Sequence, residues 1–117
     1  MSSKIKTVLI VGFGSIGRRH AKVIRALFPS IIIIVLRHKQ IDINDVKTPG
    51  LTKCVDSVDH AIELNPQVAI ISNPASKHIE IAKKLAKKGV NLLIEKPISD
   101  SSNGVKDLID ICYQNSV

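Results

Sequence analysis

At 117 residues the chain is long enough for one domain with a buried core, and short for an enzyme. It is 44% hydrophobic but only 3% aromatic, its apolar residues being mostly Ile, Val, Leu and Ala, which suits aliphatic strands layered between helices. A membrane partner is set aside because the longest unbroken apolar run, Ile31 to Leu36, is too short to span a bilayer; a nucleic-acid partner is set aside because the net charge of +7 comes without stacking aromatics.

Val8-Leu9-Ile10-Val11 reads as a first strand, preceded by no recognisable signal peptide. It runs into Gly12-Phe13-Gly14-Ser15-Ile16-Gly17, a G-x-G-x-x-G turn that opens a helix from about Ser15 to Leu27. In a dinucleotide site each glycine has a task. Gly12 permits the tight turn, Gly14 lets the backbone approach a pyrophosphate, and Gly17 lets the helix pack close to the sheet. The free N–H groups at the helix start then face the phosphates, assisted by the positive end of the helix dipole. Helical spacing places Ile16, His20, Val23, Ile24 and Leu27 along one side, with Arg18, Lys22 and Arg25 largely outside that stripe. His20 reads as a helix histidine packed against a neighbour.

Ile31 to Leu36 is apolar without alternation, as a central parallel strand covered on both faces must be. It ends at Arg37-His38-Lys39, about twenty residues beyond the last motif glycine, where an acid would receive the 2′-OH of NAD and an arginine the 2′-phosphate of NADP. Arg37 holds that position with His38 beside it, and Asp42 comes several residues later, so NADP is favoured over NAD. A surface loop with Pro49-Gly50 follows. Then come a short edge strand around Thr52–Asp56 and a short helix capped by Asp56 or Ser57 and stopped by Asn65-Pro66.

Val68 to Ser72 is the next buried strand. Asn73-Pro74-Ala75-Ser76 leads into a helix with Lys83, Lys84, Lys87 and Lys88 on one side and Ile79, Ala82, Leu85 and Ala86 on the other, stopped by Gly89. Val90 to Ile94 forms a strand that delivers Glu95-Lys96-Pro97 at its carboxyl end, and Val105, Leu108, Ile109 and Cys112 mark a final helix. Cys54 and Cys112 make no C-x-x-C motif; both are expected to be reduced thiols in a cytoplasmic protein, and no metal site is expected. This succession predicts an α/β fold: a Rossmann-like, doubly wound parallel sheet, helices on both faces, strand order 3-2-1-4-5. Ligands of such sheets bind outside the carboxyl ends of the strands. The glycine turn, Arg37, Asn73-Pro74 and Glu95-Lys96-Pro97 all fall on that edge.

Gly12 to His20, Asn73-Pro74-Ala75-Ser76-Lys77-His78, Gly89 and Glu95-Lys96-Pro97, in that order and spacing, resemble the N-terminal domain of the glucose–fructose oxidoreductase / inositol dehydrogenase / rhizopine-catabolism (Gfo/Idh/MocA) family. The resemblance implies that residues 1–117 are an NAD(P)-binding Rossmann domain. The parent enzyme would exchange hydride with a secondary alcohol or ketone of a sugar, cyclitol or sugar nucleotide. By the same resemblance Lys96 is catalytic and assists proton movement, Glu95 and Asn73 contact the nicotinamide end, the bond before Pro97 is cis, and Pro74 and His78 match family positions in the cofactor site. The family's second domain, which completes the substrate pocket, and a sixth strand are expected beyond this chain, and the parent is expected to be a homo-oligomer. An NAD(P)-sensing regulatory module is the alternative; it would need the glycine turn but have no use for Glu95-Lys96-Pro97.

Overall fold

The computed structural model describes residues 5–37 and 51–117. His38 and the loop expected around Pro49-Gly50 lie outside the described residues. The strands are β1 (Thr7–Val11), β2 (Ile32–Leu36), β3 (Lys53–Val55), β4 (Val68–Ile71) and β5 (Asn91–Ile94); the helices are α1 (Ser15–Leu27), α2 (Val58–Glu63), α3 (His78–Lys87) and α4 (Val105–Gln114). All the strands are parallel in the order β3-β2-β1-β4-β5, as expected. β1 is central. Val8 lies opposite Ile33 on one side and Val68 on the other, so neighbouring side chains stack in register.

Because side chains alternate across a strand, each apolar strand feeds both layers. Leu9, Val11, Ile34, Leu36, Ala69 and Ile71 meet Ala61 of α2 and Leu85 of α3 on one face. Val8, Ile10, Ile33, Val35 and Ile70 meet Ala21 of α1 on the other, together with Phe13. α4 packs on α3 through Leu108, Ile79 and Ala82. Local signals behave as their chemistry requires. The Ser57 hydroxyl caps α2 by accepting from His60 N–H at 3.1 Å, and Gly89, at φ +78°, ends the lysine-faced helix.

α1 does not bury its largest apolar residues. The large residues Ile16, Val23 and Leu27 stand 49%, 50% and 66% exposed, while the residues of α1 that are buried are Gly17 and Ala21. α1 meets the sheet through small side chains because the glycine turn holds its first turn too close for large ones. A Cβ at Gly17 would collide with the Gly12 carbonyl oxygen and lie 3.1 Å from Ser72 Oγ.

Candidate functional site

β1 enters the turn through Gly12, whose φ of +84° lies in the left-handed region open to glycine. Its N–H donates to Leu36 O at 2.9 Å, and a Cβ there would sit 2.8 Å from the Asn73 backbone. Ser72, the polar residue ending β4's apolar run, braces the same turn. Its N–H donates to Val11 O at 2.9 Å, and its hydroxyl lies 2.9 Å from Val11 O and 3.1 Å from Gly12 O. The sequence reading missed this bracing.

Gly14 is the N-cap of α1, no side chain caps the helix, and its first turn carries no acid. Arg18 N–H is bonded to Gly14 O at 3.0 Å; the N–H groups of Ser15, Ile16 and Gly17 come before this first helical bond and have no intrahelical acceptor. Ser15 is exposed, Ile16 half-exposed and Gly17 buried. Phe13 is only 3% exposed and belongs to the core, with the Arg18 guanidinium 5.3 Å from its ring centroid. Any contact of Phe13 with a ligand therefore falls to its backbone.

Arg37 follows β2, its N–H bonded to Val55 O at 3.0 Å. It lines a cleft of about 230 Å³ with Gly12, Phe13, Leu36, Asn73 and Pro74. A second concavity of about 390 Å³ shares Leu36 and Asn73 and is bordered by Asp56, Ser57 and Lys77. Arg37 makes no ion pair with any described residue. Its charge is felt by Cys54, whose thiol pKa is pushed up by burial and drawn partly back by the guanidinium.

Glu95 continues the β4–β5 pairing, its N–H donating to Ile71 O at 3.0 Å. Its carboxylate accepts from His20 Nε2–H at 2.6 Å, both side chains being about a quarter exposed. His20 is thus packed against a neighbour, as read from the sequence, and that neighbour is a candidate site residue. Lys96 and Pro97 are exposed, and the bond joining them is cis, as the resemblance implied. His78 is 2% exposed; its Nε2 faces Asn73 O at 2.5 Å and its Nδ1 faces Pro97 O at 3.1 Å. Both ring nitrogens thus face backbone carbonyls, and the side chain lies between the Asn73 loop and the Pro97 turn.

Two features test whether a dinucleotide fits here. A Cβ at Gly14 would meet no atom of the described residues within 4 Å, so their packing does not demand that glycine. Asn73 Oδ1 is buried with no hydrogen-bond partner among the described residues, an acceptor that a ligand's donor could satisfy. Uncapped helix N–H groups, a bare glycine, an arginine and an unpaired amide oxygen along one strand edge fit a phosphate-bearing dinucleotide.

Comparison with known proteins agrees. The model of an oxidoreductase family with an NAD-binding Rossmann fold, Gfo/Idh/MocA, matches residues 6–117. No curated protein matches in sequence. Among solved structures, apo scyllo-inositol dehydrogenase from Lactobacillus casei superposes with a TM-score of 0.82 at 18% identity, over 99% of this chain and 35% of that one. The WlbA dehydrogenase from Bordetella pertussis, in complex with NADH and UDP-GlcNAcA, gives 0.82 at 18% identity over 97% and 36%. GenD2 from gentamicin A biosynthesis, in complex with NAD, gives 0.83 at 24% identity over 98% and 33%. At these identities the likeness is one of fold, and the chain spans about a third of the length of each.

Proposed function

The chain belongs to the Gfo/Idh/MocA oxidoreductase family, as its NAD-binding Rossmann domain, and from that membership we propose that it serves an enzyme oxidising a secondary alcohol, or reducing the ketone, of a sugar, cyclitol or sugar nucleotide. The observation that carries this reading is convergence. The glycine turn, Arg37, Asn73 and the Glu95–Pro97 turn follow four different strands, β1, β2, β4 and β5, and all lie at the sheet's carboxyl edge.

The nicotinamide dinucleotide supplies hydride exchange; the chain's own residues bind, orient and move the proton. The N–H groups opening α1 receive the pyrophosphate, with the helix dipole adding to their attraction. Arg37 receives a 2′-phosphate through charge-assisted hydrogen bonds, which favours NADP. Asn73 and Glu95 contact the nicotinamide end. Lys96, exposed beyond β5, exchanges a proton with the substrate oxygen through its Nζ as the carbon is oxidised or reduced. The substrate pocket is completed by a further domain of a longer, oligomeric parent. The named functions of the structural neighbours, an inositol dehydrogenase and a dehydrogenase bound to a sugar nucleotide, support this substrate class.

The test is a fluorescence titration of this chain with NADPH and with NADH at one salt concentration. The Arg37 contact should favour NADPH by about 1.5–3 kcal/mol, roughly 10–150-fold, and Arg37→Ala should remove the difference. Equal affinities would make the protein indifferent to the 2′-phosphate. Binding of neither cofactor would overturn the reading.

A further inference from the structure

Lys96 is the first residue beyond the sheet pairing on β5, and the residues flanking it are held from opposite sides. Glu95 is fixed twice, by its N–H on Ile71 O at 3.0 Å and by its carboxylate on His20 Nε2 at 2.6 Å. Pro97 presents its carbonyl to His78 Nδ1 at 3.1 Å, and the same imidazole reaches Asn73 O. His20 rises from α1, one turn beyond Gly17, on one face of the sheet; His78 opens α3 on the other. We propose that His20 is a positioning residue: by fixing the Glu95 carboxylate it sets the direction of the Lys96 turn and links it rigidly to the glycine helix. The inference rests on the cofactor reading above and deepens it.

The argument is mechanical. The backbone N–H of Glu95 fixes its main chain and leaves its side chain free to choose among rotamers. A carboxylate without a partner swings into solvent, and the turn is then held by His78 alone. With His20 in place, Glu95 faces back toward α1 and the phosphate-binding turn, and the next residue leaves the sheet in one direction. Groups that act on a ligand need this kind of support from neighbours that lock their rotamers. His20 itself need not touch the ligand.

The experiment compares the wild-type chain with His20→Ala, His20→Gln and Glu95→Ala by ¹⁵N–¹H spectroscopy, free and during titration with NADPH. In the free His20→Ala protein the Lys96 and Ile98 amides should broaden or split while those of β1 and β4 stay in place. Its NADPH affinity should fall about tenfold, with shifts at Gly12–Gly17 retained and those at Glu95 and Lys96 reduced. His20→Gln, whose amide can still donate to the carboxylate, should restore both. The double variant His20→Ala/Glu95→Ala should lose no more affinity than Glu95→Ala alone, because the two side chains act as a unit. If His20→Ala matches the wild type in spectrum and affinity, the inference falls while the cofactor reading stands. A wild-type chain that binds no dinucleotide overturns that reading instead, and the free-protein spectra still decide whether His20 holds the turn. Should His20→Ala fail to fold, Glu95→Ala removes the same contact from the other side and must then show the same broadening at Lys96.

Discussion

A methyl group added at Gly17 would strike the Gly12 carbonyl oxygen, whereas one added at Gly14 would meet no atom of the described residues. The two glycines therefore answer to different masters, packing and ligand. Gly17→Ala should destabilise the fold by about 1–3 kcal/mol in urea unfolding, because the helix must back away from the turn. Gly14→Ala should leave stability within about 0.5 kcal/mol of the wild type. Its dinucleotide affinity should nevertheless drop by roughly tenfold or more, since the methyl occupies the path of the pyrophosphate. Cys54 offers a pH-dependent check on Arg37. Burial raises the thiol's pKa and the guanidinium opposes the rise, so the folded state favours the protonated thiol. That stabilising contribution is complete below the ordinary thiol pKa and is lost as pH climbs through the folded value. Arg37→Ala removes the opposing charge, so alkylation of Cys54 at mildly alkaline pH should slow by about 2–5-fold while that of Cys112 is unchanged.

Among the elements, α1 gives the sharpest test of what faces what. Ala21, 1% exposed, has no room to grow, and Ala21→Leu should cost about 1–3 kcal/mol. Val23 stands 50% exposed, and Val23→Lys should change stability by no more than about 0.5 kcal/mol; urea unfolding of both variants checks the assignment. Val23 lies on the apolar stripe of the helix and yet stands half in solvent, and the reason is instructive. Periodicity weighs residues by hydrophobic size, but a helix that begins on a tight glycine turn approaches the sheet through its smallest side chains. The strands were legible because Ile33 to Leu36 and Leu9 to Val11 are apolar on both faces, which leaves them no other place than the middle of a covered sheet. The glycine turn and the Glu95–Pro97 turn were legible as residues at strand ends. Their supports were not. His20 and Glu95 are 75 positions apart, and His78 meets Asn73 and Pro97 only once β4 and β5 lie side by side, so no local pattern announces either contact.

For the whole molecule the two sheet faces are unequally dressed. α2, α3 and α4 gather on one face, whereas α1 is the helix described on the other. A groove of about 400 Å³ is left beside α1, lined by Ile5, Val8, Ile24, Phe28, Ile70 and Leu93, among others. Phe28 is 57% and Leu93 52% exposed there. An anionic hydrophobic dye such as anilinonaphthalene sulfonate should bind the folded chain at this groove with enhanced fluorescence. Phe28→Ser combined with Leu93→Ser should abolish most of that signal without unfolding the protein, as circular dichroism would show. No helix among the described residues is long and apolar enough to cross a membrane.

β1, the innermost strand, is the first of the described strands in chain order. Its partner β2 follows after one helix, but Val8 meets Val68 only after about sixty more residues have been added. At about 5–20 residues per second a ribosome takes roughly 3–12 s to supply them. For that interval β1, apolar but for Thr7, has at least one hydrogen-bonding edge open. The nascent chain is thus open to wrong pairing through the very segment that ends in the glycine turn, and a slow codon placed before β4 would lengthen the exposure.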